Sequence, residues 1–150
     1  MLTYGAVATI EPGGRAALDL VAEGLPFDGS VNGSSGLPGP ADLLAGALAA
    51  CLAKNLERFS HLLGFRYRAA RVEVELERQE VPPRIVRATY LVELETDETD
   101  QRLDNLHLNL RKYGTITNTL AASAELSGRV VRAPGPLPHG PGQHGAVPSR

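Results

Sequence analysis

The chain has 150 residues, a formal charge of −2 and a single cysteine. This length is typical of one domain, and the near-neutral charge gives no electrostatic basis for binding nucleic acid or an anionic membrane. One cysteine excludes an intramolecular disulfide and a zinc site built from several cysteines. Because the N-terminus lacks the basic start and apolar run of a signal peptide, we expect a cytoplasmic protein.

Two short strands are predicted at the N-terminus, over residues 4–10 and 15–23, with Pro, Gly and Gly in the turn between them. Residues 24–39 are rich in Gly, Pro and Ser and predict a long loop. This loop contains Gly-Ser-Ser-Gly at 33–36, the spacing of a loop that clamps nucleotides. No helix precedes it and no basic residue flanks it, so we expect an ordinary flexible loop.

The clearest element is a helix predicted over residues 40–63. Pro40 suits its first turn, and Gly64 suits the position just after its end. Bulky apolar side chains cover a broad arc of this helix: Leu44, Leu48, Leu52, Leu56, Phe59, Leu62 and Leu63. The opposite side carries mainly small residues, which permit close approach of another element. The pattern predicts a central helix that is covered on more than one side.

An antiparallel hairpin is predicted next, because residues 71–79 and 84–94 alternate between apolar and polar side chains. Its polar face carries Glu73, Glu75 and Glu77. Outward-facing charges keep such sheets soluble, so we expect a solvated face here and not a pair of catalytic carboxylates.

A second helix is predicted between the Thr-Asp-Glu-Thr-Asp segment at 96–100 and Gly114, which can end it. A short helical turn at 117–120 and a strand at 124–131 complete the pattern. The element order is therefore β, β, α, β, β, α, β. Apart from its first strand, this order matches the split β-α-β pattern of ferredoxin-like domains, and a fold pattern alone does not indicate a function.

None of the four histidines is expected to form a catalytic pair with Cys51. His61 follows Cys51 on the same helix at about 15 Å along the axis and roughly 80° around it. His107 lies among leucines on the second helix, and His139 and His144 lie in the C-terminal tail. We expect solvated or packing histidines, and neither a metal nor a cofactor.

Cys51 lies inside the apolar arc of the long helix, where a structural cysteine is common. Asn55 and Arg58 follow on the same stripe, and Lys54 lies at its edge. Such groups are costly to bury without partners, and an electropositive, partly enclosed setting makes a thiol nucleophilic. The residues alone leave both a packing role and a reactive role open for Cys51, with Lys54, Asn55 and Arg58 as candidate binding residues.

Two stretches, GPADLLAGALAACLAKNL at 39–56 and RKYGTITNTL at 111–120, resemble the OsmC/Ohr family of osmotically inducible and organic hydroperoxide resistance proteins. The likeness covers about residues 4–132. It implies an α+β fold in which antiparallel sheets wrap around a long central helix, in an intertwined homodimer. On this basis we expect an OsmC-like domain over 1–132 and a flexible tail rich in Pro and Gly over 133–150.

The resemblance also implies roles for individual positions. Cys51 matches the cysteine that attacks a peroxide, and Arg15 is the candidate for the arginine that assists it. The assisting glutamate of the family falls at Ala41, and the neighbouring Asp42 points about 100° away on a helix. The second, resolving cysteine of the family falls at Gly114.

Two functions remain open from the sequence. The first is the reduction of organic hydroperoxides by a single peroxidatic cysteine, recycled by an external thiol, in defence against oxidative stress. The second is a non-catalytic member of the same fold that binds a small apolar ligand or serves as a structural dimer. A two-cysteine cycle is excluded, because the chain has only Cys51.

Overall fold

The computed structural model describes residues 1, 4–12, 15–20 and 24–137. The chain divides into two compact units, Met1–Gly46 and Ala47–Arg150. Strands and helices are both present, so the predicted α+β class is confirmed. No helix in the described ranges is long and apolar enough to cross a membrane.

The first unit contains an antiparallel sheet of three strands in the order β1 (Val7–Ile10), β2 (Arg15–Asp19) and β3 (Leu25–Asp28). The first two strands confirm the predicted pair, although the last residues of the predicted second strand, 21–23, lie outside the described residues. The third strand corrects the predicted loop over 24–39. Its Pro26 lacks an N–H group, which an edge strand tolerates, so a short strand containing proline resembles a loop in the sequence.

Hydrogen bonds from Asp28 organise the segment that follows β3. The Asp28 backbone N–H donates to the Pro38 carbonyl at 2.8 Å, and its Oδ1 accepts from the Ser30 N–H at 2.9 Å and the Ser30 hydroxyl at 2.5 Å. These bonds to Ser30 hold the pKa of Asp28 below its usual value. The Asp28 backbone therefore joins the two ends of the segment, and its side chain holds the turn at Ser30.

Helix α1 spans Pro40–Leu63, as predicted. It ends where Gly64 adopts a left-handed conformation with φ of 60°. One stripe of the helix is buried in the described chain, with residues four, four and three positions apart: Leu48, Leu52, Leu56 and Phe59. Leu62, by contrast, is 64% exposed. The predicted burial on further sides is thus not supplied by the described part of this chain.

The second unit contains a sheet in the order β4 (Ala69–Gln79), β5 (Arg84–Glu95) and β6 (Glu125–Arg132). The pairing of β4 with β5 is antiparallel and that of β5 with β6 is parallel. Alternate residues of β5 form a buried face: Ala88, Tyr90, Val92 and Leu94. Glu73, Glu75 and Glu77 are exposed, as predicted. Because the described strands form two separate sheets, the single ferredoxin-like sheet suggested by the element order is wrong.

Two helices connect the parallel strands, α2 (Asp100–Tyr113) and α3 (Thr115–Ala121). The Thr99 hydroxyl caps α2 by accepting a hydrogen bond from the Arg102 N–H at 3.3 Å. The inner face of α2 packs three buried leucines into the core: Leu103, Leu106 and Leu110. Two parallel strands need a crossover of this kind, because the chain must return to the same end of the sheet. Only Gly114 separates the end of α2 from the start of α3.

The segment after β6 remains hydrogen-bonded to β5 as far as it is described. Ala133 donates its N–H to the Leu94 carbonyl at 2.8 Å, and Leu137 donates its N–H to a Glu95 carboxylate oxygen at 3.3 Å. Residues 138–150, which make up most of the predicted tail, lie outside the described residues. The flexible tail therefore stays a prediction.

Candidate functional site

The Cys51 thiol lies in the middle of α1 and is partly buried. The side-chain amide of Asn55, one turn later, donates a hydrogen bond to Sγ at 3.6 Å. Leu48 and Leu52, on the adjoining side of the helix, are completely buried. Cys51 therefore lies at the border between the buried stripe and the surface, as a partly exposed residue whose sulfur has one N–H donor.

Two cations extend this border along α1. Lys54 and Arg58 are exposed, and Arg58 lies over the ring of Phe59, with its Cζ 5.7 Å from the ring centroid. Among the described residues, neither cation has a carboxylate within ion-pair distance. The predicted stripe of Cys51, Lys54, Asn55 and Arg58 is thus a partly exposed surface with two positive charges.

The carboxylate of Glu57, on the same helix, is already engaged. It accepts hydrogen bonds from the hydroxyl of Tyr67 and pairs with Nε2 of His61 at 2.8 Å. The bond from Tyr67, followed by that from His61, lowers the pKa of Glu57. Burial, together with Glu57, raises the pKa of Tyr67 to about 12. His61 thus belongs to a hydrogen-bonded surface cluster with Glu57 and Tyr67. Sequence reasoning missed this cluster, because Tyr67 lies after the end of α1.

Arg15, the predicted assisting arginine, lies at the start of β2 in the first unit. Its Nε and Nη2 atoms donate to Glu11 Oε2 at 3.0 Å and 2.5 Å, on the exposed surface. Asp42 Oδ2 accepts the Gly39 N–H at 2.9 Å, beside the beginning of α1. Arg15 and Asp42 belong to the first unit and Cys51 to the second, so a role for either beside the thiol stays a prediction.

The predicted second motif begins where α2 packs against α1. The rings of Phe59 and Tyr113 lie with centroids 5.6 Å apart, so the last residue of α2 touches the helix that carries Cys51. Gly114 follows directly and is buried. The second stretch is therefore in contact with α1, the helix that carries Cys51, through one aromatic pair.

Gly114 separates α2 from α3 with φ of −79° and ψ of 123°. This is extended backbone, so the glycine is not needed for a left-handed helix end. It is needed for space, because a Cβ at this position would lie 2.5 Å from Oγ1 and 2.8 Å from Cβ of Thr117. Thr117 is 1% exposed, and its hydroxyl has no hydrogen-bond partner in the described part of the chain. A threonine three residues away gives no sequence signal for this contact.

Comparison with known families identifies this arrangement. A family model described as OsmC-like protein matches residues 33–127, a segment that covers more than half of the chain and includes Cys51 and Gly114. The chain belongs to this family. No curated protein matches the OsmC-like chain.

Solved structures of OsmC-like proteins share the fold at low sequence identity. An OsmC-like protein from Mycoplasma pneumoniae has a TM-score of 0.80 and 13% identity, with 87% of this chain and 97% of that chain covered. An organic hydroperoxide resistance protein OsmC from Legionella pneumophila has a TM-score of 0.72 and 14% identity, with 89% and 100% covered. The organic hydroperoxide resistance protein OhrB of Bacillus subtilis has a TM-score of 0.64 and 17% identity, with 86% of this chain and 98% of that chain covered. At these identities the structures support the fold, and the family model supports membership.

Proposed function

We propose that the protein reduces organic hydroperoxides with Cys51 as its single peroxidatic cysteine. The observation that carries this proposal is the position of the thiol. It lies inside the OsmC-like segment, partly exposed, with an amide donor from Asn55 and with two exposed cations, Lys54 and Arg58, about one and two turns further along the helix. A partly exposed thiol with polar neighbours is the setting in which reactive cysteines are found. Similarity to hydroperoxide resistance proteins supports the choice of substrate.

The proposed reaction has two stages. The Cys51 thiolate attacks one oxygen of the hydroperoxide, an S–O bond forms, the O–O bond breaks, and the other oxygen leaves and takes a proton to give an alcohol. The product is a sulfenic acid. An external thiol then forms a mixed disulfide with release of water, and a second thiol frees Cys51 and leaves as the disulfide. The two external thiols supply the two electrons that the peroxide accepts.

We test the reactive role by alkylating the folded protein between pH 5 and pH 9 and by treating it with cumene hydroperoxide. Rapid labelling at about pH 6 to 7, with a sulfenic acid detected by mass spectrometry, is the expected result. Cys51→Ser should abolish both signals. Arg15→Ala should slow them if Arg15 assists the thiol, whereas Arg129→Ala, which removes an exposed arginine of β6, should not.

A thiol that remains inert up to about pH 9 and unchanged by peroxide would contradict the peroxidase proposal. It would favour the second candidate, a non-catalytic member that binds a small apolar ligand or serves as a structural dimer. The observation favouring that candidate is that alanine and glycine stand at the positions of the family's glutamate and resolving cysteine, Ala41 and Gly114. Binding of a small apolar ligand without turnover would then be the informative measurement.

We further propose that the protein is a homodimer with α1 at or near the interface. None of the described side chains in Met1–Gly46 is buried, although this unit carries several large exposed apolar residues: Tyr4, Val7, Leu20, Leu25, Val31 and Leu37. Many large exposed apolar residues in one small unit are what an interface with a partner would cover. A second copy is the partner that the family resemblance implies, and it would cover α1 on the sides left open here.

Light scattering at micromolar concentration should therefore give twice the mass of one chain. Leu62→Glu, on α1, should weaken the dimer at least about tenfold, because it places a charge in an apolar contact. Leu108→Glu is the matched control on α2, since Leu62 and Leu108 are 64% and 69% exposed. A stable wild-type monomer, or equal effects of both substitutions, would contradict an interface at α1.

A further inference from the structure

A polar cluster joins α2 to the sheet of the second unit at a place that the proposed peroxidase reaction does not use. The hydroxyl of Tyr90, on β5, lies 2.6 Å from Nε2 of His107, on α2, and the two rings meet edge to face with centroids 5.7 Å apart. Arg111, one turn further along α2, donates from Nη1 to the Leu126 carbonyl of β6 at 2.8 Å. The cluster therefore ties one helix to two neighbouring strands.

Tyr90 cannot easily move away from His107. Tyr90 is 4% exposed, and its ring lies directly over Gly128 of β6, at a distance that leaves no room for a Cβ atom. The imidazole of His107 is only partly buried. Of the two partners, His107 is thus the one that water and protons can reach.

We propose that His107 is an acid-sensitive latch that holds α2 against β5 when neutral and releases it when protonated. The neutral imidazole can accept the Tyr90 hydroxyl proton, whereas the imidazolium can only donate, to a hydroxyl oxygen that already interacts with the Arg111 guanidinium. Protonation would also place a second positive charge beside the Arg111 guanidinium, in a partly desolvated position. This inference does not depend on Cys51.

The charges that act on His107 favour the neutral form. Burial, followed by the charge of Arg111, lowers the pKa of His107, while Asp104 on the exposed side of α2 opposes them. The group of β5 that faces His107 is the Tyr90 hydroxyl, which is neutral because burial raises the pKa of Tyr90. On β6, the Leu126 carbonyl accepts a hydrogen bond from Arg111. A depressed pKa in the folded state means that the latch contributes stability above about pH 6.5 and loses it as the pH falls through the folded value.

Nuclear magnetic resonance titration of the histidine ring protons tests the latch directly. In the folded protein, the resonance that His107→Gln removes should titrate with a midpoint below that of the urea-unfolded chain. Arg111→Gln should raise this midpoint and Asp104→Asn should lower it further. Opposite shifts from two residues of one helix cannot result from general loosening. A wild-type midpoint at or above the unfolded value would overturn the proposal.

Hydrogen exchange then tests the release. Between pH 7.5 and pH 5.0, exchange of the α2 amides, corrected for the intrinsic effect of pH, should rise several-fold more than that of the β4 amides. The difference should disappear in His107→Gln. An equal rise in both elements of the wild-type protein, or a selective rise that persists in His107→Gln, would overturn the latch. The titration of the wild-type protein remains decisive if that variant does not fold.

Discussion

Replacing Gly128 with alanine should lower the free energy of unfolding by about 2–3 kcal/mol, because the new methyl group would overlap a buried ring. Gly128 pairs with Tyr90 in the parallel register of β5 and β6. A Cβ there would overlap with Cδ2 and Cε2 of the tyrosine and lie 2.5 Å from its Cγ. The ring is buried and bonded to His107, so it cannot turn aside without losing that contact.

Urea unfolding measures this effect, with the slope against urea checked for constancy. Ser127→Ala is the matched control, because Ser127 precedes Gly128 on the same strand and is exposed, and it should change stability by less than about 0.5 kcal/mol. In a Tyr90→Leu background, Gly128→Ala should lower the free energy of unfolding much less, and a double-mutant cycle would detect this difference. A negligible effect in the wild-type background would mean that the ring moves away freely.

The elements that could be predicted from the sequence are those with a long periodic pattern and clear ends. Helix α1 has bulky residues at helical spacing between Pro40 and Gly64, and both ends were predicted correctly. The hairpin of β4 and β5 was found because eleven- and twelve-residue strands alternate for long enough to be distinctive. The four-residue strand β3 was missed because so short a run containing Pro26 carries no periodicity.

The candidate site could be predicted only where it lies on one helix. Cys51 and Asn55 are one turn apart, so helix geometry alone places them together, and the structure adds the hydrogen bond. Contacts between distant segments had no such signal. The requirement for glycine at 128 comes from Tyr90, which is far away in the chain, and the link between His107 and Tyr90 depends on how α2 packs on the sheet.

Gly114→Cys should lower the free energy of unfolding by about 2–3 kcal/mol, for a reason that the sequence did not reveal. A left-handed glycine would have penalised any side chain, but φ of −79° removes that argument. The obstacle is the Thr117 side chain, whose Oγ1 and Cβ would lie 2.5 Å and 2.8 Å from the new Cβ, with the Leu110 carbonyl oxygen at 3.2 Å. The backbone fixes the Thr117 Cβ atom and the Leu110 carbonyl oxygen, and only Oγ1 can move away, by rotation about χ1.

Thr117 itself provides the compensating change. Thr117→Val should raise stability by up to about 1 kcal/mol, because it replaces a buried hydroxyl that lacks a partner among the described residues by a methyl group of similar size. Thr117→Gly removes both overlapping atoms, although a glycine in a helix costs about 1 kcal/mol relative to alanine. If this overlap is the reason for glycine at 114, Gly114→Cys should lower the free energy of unfolding far less in a Thr117→Gly background than in a Thr117→Val background.

The double variant Gly114→Cys/Thr117→Gly then tests whether position 114 corresponds to the resolving cysteine of the OsmC/Ohr family. A disulfide needs Cα atoms within about 7 Å. The Phe59–Tyr113 contact lies about 12 Å along α1 from Cys51, so the test rests on the family correspondence, which implies that positions 51 and 114 come within that distance. We therefore expect oxidation to produce a crosslink between Cys51 and the new thiol, seen by mass spectrometry of a peptide digest under non-reducing conditions. Gly114→Ser/Thr117→Gly and Cys51→Ser in the double background should give none. A folded double variant with two free thiols after oxidation would mean that position 114 lies too far from Cys51 and that the family correspondence at this position is wrong.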